Sequence, residues 1–122
     1  MRKFTLFFVI CFSVLLCSTL YSQTNTWDGS SSTNWNTAAN WSLNLVPTSD
    51  HDVVIPNNFA VTVNTIAYCK TLTIEAGGND NTLTISGTNS LTVSGAVTIN
   101  GGTGTNDNKI IAVGTGTFSC AS

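Results

Sequence analysis

His51 is the only histidine of the 122-residue chain, and it stands between Asp50 and Asp52. An imidazole flanked by carboxylates suits general-base work or a cation site, so chemistry is sought here first. A nucleophilic triad also needs a serine or cysteine raised on a sharp elbow, and no Gly-x-Ser-x-Gly run occurs. Calcium needs six or more oxygen ligands, and one short acidic pair supplies too few. His51 therefore reads as a loop residue just ahead of a strand.

Two Asn-Asp-Asn turns, residues 79–81 and 106–108, offer further oxygens, which makes Asp80 and Asp107 weak calcium candidates. Calcium-binding β-rolls need tandem Gly-Gly-x-Gly-x-Asp loops, and Gly77-Gly78-Asn79-Asp80 matches only in part. Turn formation is the better account of both, and no metal or cofactor is assigned. Polysaccharide lyases need a poised base and glycosidases a facing pair of carboxylates. Past the N-terminal Arg2 and Lys3, the only cationic side chains are Lys70 and Lys109, and Glu75 alone among the carboxylates directly follows a strand. No catalytic residue is assigned, and the chain reads as a non-enzyme. Six carboxylates against those two lysines also exclude nucleic acid as a partner, since phosphate binding needs clustered Lys and Arg.

The N-terminus sets the compartment. Met1-Arg2-Lys3 precedes an apolar run, Phe4 to Leu16, and a short polar stretch ending at Ser22. This is the three-part pattern of a signal peptide, and it is too short to remain as a membrane span. Residues 1–22 are thus expected to be removed, with cleavage after Ser22 and a secreted or cell-surface destination. Of the four cysteines, Cys11 and Cys17 leave with the signal. Cys69 and Cys120 remain, and an oxidising compartment admits either a disulfide between them or two small buried side chains.

What remains is dense in Thr, Asn, Ser and Gly, with no helical spacing of apolar residues. Short alternating triplets recur instead, among them Val53-Val54-Ile55, Leu72-Thr73-Ile74, Leu83-Thr84-Ile85 and Leu91-Thr92-Val93. First and third residues share one face, as in half-buried strands, and Gly/Asn/Asp clusters between them supply the turns. Val53, Leu72, Leu91 and Ile110 lie 19 residues apart. This spacing predicts an all-β, right-handed parallel β-solenoid with coils of about 19 residues, Leu72 stacking on Leu91. Short strands at such intervals also fit a β-sandwich, the alternative fold.

All three tryptophans precede this repeat, in Thr26-Trp27-Asp28-Gly29, Asn34-Trp35-Asn36 and Ala39-Asn40-Trp41-Ser42. Residues 23–52 are read as a cap over the first rung, and residues 53–122 as the solenoid, continuing into a longer chain. The sharper reading is a sugar-stacking platform of Trp27, Trp35 and Trp41, with Asp28 bonding hydroxyls. The order Trp27…Trp35…Asn40-Trp41…Pro47…Asp52-Val53…Ile55, followed by "CKTLTIEAGG" and "LTISGTNSLTVSGAVTING", resembles the N-terminal region of large secreted or surface proteins of gram-negative bacteria. Those proteins are adhesin-like or autotransporter-passenger-like, and there such a motif opens a run of β-solenoid repeats. The resemblance implies a non-catalytic structural or adhesive surface module whose partners are a surface polysaccharide or another copy of a surface protein. No sorting domain or membrane barrel accompanies it here.

Overall fold

The computed structural model describes residues 21–78, 80–102 and 109–121. The signal segment up to residue 20 and Asp107 lie outside them. Ten short strands follow in order: β1 Gln23–Thr26, β2 His51–Ile55, β3 Ala60–Val63, β4 Ile66–Cys69 and β5 Thr71–Ile74, then β6 Asn81–Ile85, β7 Ser90–Val93, β8 Val97–Ile99, β9 Lys109–Val113 and β10 Thr117–Cys120. A single 3-10 turn, Ala38–Asn40, is the only helical element among the described residues.

Every pairing between these strands is parallel, in three sheets ordered β1-β2-β5-β8, β3-β6-β9 and β4-β7-β10. From β2 onward the chain visits the three sheets in rotation and returns to each one rung further on. That is a β-solenoid of about four turns. A sandwich built of antiparallel hairpins is excluded.

Alternation along each strand fills the inside. Val53 and Ile55, Val61 and Val63, Ala67 and Cys69, Leu72 and Ile74, Leu83 and Ile85, and Leu91 and Val93 are all buried. The residues between them face out, forming rows such as Thr26–Val54–Thr73–Thr98. Backbone polarity alternates in step: the inward residues' carbonyls accept from the rung that follows, as Cys69 does from the Ser94 N–H at 3.1 Å and Ile74 from the Asn100 N–H at 2.9 Å. Each rung therefore bonds both neighbours, about 4.8 Å away on either side.

The 19-residue register does not survive. Asp52 pairs with Thr71, a step of 19, but Ala60 pairs with Thr82, Ile66 with Ser90 and Leu72 with Val97, steps of 22, 24 and 25. Leu91 stacks between Ala67 and Phe118 in another sheet from Leu72. Ile110 pairs with Thr82 in the third sheet, and it is Ile111 that continues the Leu83 column. The physical reason lies at the corners, all three of which lengthen from the first coil to the second: four residues separate β2 from β3 but six separate β5 from β6, residues 64–65 are matched by 86–89, and residue 70 by 94–96. Because β3, β5, β6, β7 and β8 all carry the same apolar-Thr-apolar code, strands of different sheets look alike, and their spacing coincided at 19.

Buried Asn81 ties two of those turns together. Its Oδ1 accepts the Phe59 N–H at 2.8 Å, and its Nδ2 donates to the Glu75 carbonyl at 3.3 Å.

Leu91 is fully buried while Thr92 is only half-buried on the outer face. Leu91→Asp is expected to cost several kcal/mol, roughly 3–5, by placing an unpaired charge inside, and Thr92→Asp under about 1 kcal/mol. Urea melts of the two variants check this; equal losses would contradict the inside/outside assignment.

Candidate functional site: the tryptophan-capped end

A parallel solenoid leaves unpaired peptides and bare apolar side chains at its first rung. Here the chain folds back on itself to cover them. β1 pairs along β2, and the Trp27 N–H continues the ladder to the Val54 carbonyl at 2.9 Å. Residues 40–42 then run antiparallel beside Thr26–Asp28, with the Asp28 N–H on the Asn40 carbonyl and the Ser42 N–H on the Thr26 carbonyl, both at 2.8 Å. A second strap, Thr33 to Trp35, brackets Thr62 of β3: Trp35 N–H donates to its carbonyl at 2.8 Å and its N–H donates to Thr33 at 2.7 Å.

The rings themselves pack inside. Trp41 meets Trp27 edge to face at 4.9 Å and Trp35 at 4.8 Å, and the three are 0–1 % exposed. Its Nε1–H donates to the Trp35 carbonyl at 2.8 Å. Those of Trp27 and Trp35 are buried without a protein partner.

Two buried asparagines organise the straps. Asn40 accepts from the Ser31 and Ser32 amides at 2.9 and 2.8 Å, and donates to Ser32 Oγ and the Asn34 carbonyl at 3.0 and 2.9 Å. All four of its bonding positions are filled. Asn25 donates to the Leu45 carbonyl at 2.8 Å and accepts from the Leu43 N–H at 3.2 Å. Their roles were not anticipated, although parity is a signal: Asn25 stands two residues before Trp27, and Asn81 two before Leu83, both at inward positions.

A model of one family, described as a domain of unknown function (DUF8693), matches residues 26–110. The chain belongs to this family. No curated protein and no solved structure matches the chain. The matched stretch runs from the last residue of β1 through the capping straps and seven strands, β2 to β8, and into β9, so in this DUF8693 member cap and solenoid lie inside one family region.

The platform of Trp27, Trp35 and Trp41 is overturned by burial, since a sugar ring needs an exposed face to stack on. Asp28 is exposed, but its Oδ1 accepts the Ser30 N–H at 2.9 Å and so shapes the turn at Gly29. Gly29 has φ +60°, and a Cβ there would lie 2.9 Å from Trp27 Nε1. A cavity of about 340 Å³ opens beside it, lined by Trp27, Gly29, Ser30–Thr33, Phe59 and Ala60, with no titratable group.

The remaining candidates are spread apart. His51 is the first residue of β2, not a loop residue, and its Nδ1 lies 3.0 Å from both the Thr48 N–H and hydroxyl. Asp52 accepts from the Thr71 hydroxyl at 2.8 Å. Its carboxyl lies below the usual aspartate range because the Ser22 hydroxyl, then Thr71 and Lys70, favour the charged form over the opposing effect of burial. Among the described residues no three His, Cys, Asp or Glu side chains cluster, and Asp80 stands in no group of that kind.

Cys69 and Cys120 occupy one inward column, separated by Val93. Two rungs place their Cα atoms about 10 Å apart, beyond the span of a disulfide. Both are free thiols; Cys69 is buried and Cys120 exposed. Burial, reinforced by the charge of Asp52, pushes the Cys69 thiol up to about 12.

Two outcomes follow. Trp35→Ala is expected to lose roughly 3–5 kcal/mol of stability in denaturant melts, and the parent's fluorescence to be blue-shifted and unmoved by added polysaccharides. For Asp52, a pKa lowered from 3.8 contributes stability that is complete above that value and lost as pH falls through the folded value. Asp52→Asn should therefore flatten the acid side of the stability profile and leave no pH slope of its own.

Proposed function

We propose that the chain is a non-catalytic structural or adhesive module of an exported surface protein, the closed start of a β-solenoid that extends beyond the rungs described here. The carrying observation is the contrast between the ends. At one end the tryptophans and two straps cover the core. At the other, inward positions lie open: Ile99 and Val113 are 47 % and 43 % exposed, although Ile74 and Ile85 above them in the same columns are buried. Among the described residues β8, β9 and β10 each have a paired strand on one side only. An apolar rung with free edges is a template for another parallel coil.

Composition supports the same reading. The largest apolar side chains and the buried amides serve the fold, the outer faces are rich in Thr and Ser, and among the described residues no three His, Cys, Asp or Glu side chains converge. The signal-like N-terminus and the resemblance to gram-negative surface proteins favour export. Adhesion would be carried by those outer faces and turns toward a polysaccharide or another surface protein. The sugar-platform alternative is set aside, because its rings are enclosed.

Paired substitutions in one column test the open end. Ile99→Lys and Val113→Lys are expected to cost under about 1 kcal/mol and to abolish binding of a hydrophobic dye, whereas Ile74→Lys and Ile85→Lys cost several kcal/mol. Comparable damage at both levels would show the last rung to be covered. Export is tested by expression in a gram-negative host: the processed chain should lie outside the inner membrane with Gln23 as its first residue, and retention of an intact N-terminus in the cytoplasm would refute it.

A further inference from the structure

Asn100-Gly101, immediately after β8, is the chain's one Asn-Gly step. Asparagine is a thermolabile residue, and its chemistry is local: the nitrogen of the next peptide attacks the side-chain carbonyl if the backbone can bring the two together. Glycine permits that approach because it lacks a Cβ. We infer that Asn100 is a site of spontaneous deamidation and isoaspartate formation, the one asparagine of the described chain that combines a following glycine with an exposed, unpartnered amide.

Four other asparagine side chains are held. Asn40 fills all its bonding positions, Asn25 and Asn81 are buried in hydrogen bonds, and Asn89 Nδ2 donates to the Ser86 carbonyl at 2.6 Å. The comparable Asp28-Gly29 step is locked as well: Asp28 Oδ1 accepts from Ser30, and the Gly29 nitrogen donates to the Asn40 carbonyl. At Asn100 the backbone N–H is anchored to Ile74 at 2.9 Å, but the residue is exposed and its amide has no partner among the described residues. Gly101 is exposed too, with no atom within 4 Å of where a Cβ would stand.

The deprotonated Gly101 nitrogen forms a bond to Asn100 Cγ and expels ammonia, closing a five-membered succinimide. Water then opens either carbonyl, giving aspartate or isoaspartate. The net change replaces an amide by a carboxylate, a gain of about 1 Da and one negative charge. The reaction does not depend on what the module binds. Its consequence does, because the new charge appears at the end of β8, on the uncovered rung.

The intact chain is incubated at mildly alkaline pH and mapped by peptide mass spectrometry, with isoaspartyl methyltransferase as the isoaspartate probe. The peptide holding Asn100 should convert at least about tenfold faster than those holding Asn34, Asn40 and Asn89, and Asn100→Gln and Gly101→Val should each suppress the conversion. Equal rates across these peptides, or undiminished conversion in Gly101→Val, would overturn the assignment.

Discussion

The stacking of one parallel rung on the next governs everything else in this chain. Inward carbonyls bond forward and outward residues bond back, so a rung is satisfied only between two others. Apolar columns follow the same logic: Val53 needs Leu72, and Leu72 needs Val97. A structure held this way has no natural stopping point, and its ends must be treated separately. The first end is closed by reversal of chain direction, residues 40–42 running antiparallel beside β1, which presents no parallel edge for a further coil to continue.

That closure explains where the large side chains went. Trp27 extends the ladder beyond Thr26 and Trp35 follows the bridge between Asn34 and Thr62, while Trp41 fills the space between them. Burying three indoles at one end is what allows the rungs below to be built from small β-branched residues and leucine. The straps carry many backbone amides over this core, and Asn25 and Asn40 bond those that the ladders do not reach.

Much of this was legible before any coordinates. The inward and outward faces of β2, β5, β6 and β7 follow directly from alternation, as does the burial of Leu72 and Leu91, and the capping role of the tryptophans follows from their number and position. Rung assignment was not legible. Leu72 and Leu91 sit in closely similar local contexts, and only the lengths of connections such as 86–89 and 94–96, which leave no periodic mark, decide which sheet each strand joins. The same ambiguity misplaced Ile110 and left open a Cys69–Cys120 bridge that the true register forbids. The organising asparagines were hidden for another reason: in a chain this rich in Asn, turn formation is the default expectation for each of them.

The register of the rungs is the central claim, and one bond decides it. The Leu72 N–H donates to the Ala96 carbonyl at 3.0 Å, across the pair Leu72–Val97. Scalar coupling through hydrogen bonds, measured by NMR on the isotope-labelled chain, reports the acceptor of each amide directly. A coupling from the Leu72 nitrogen to the Ala96 carbonyl carbon is expected; one to Ser90, the acceptor that a constant 19-residue coil requires, would contradict the three-strand coil described here.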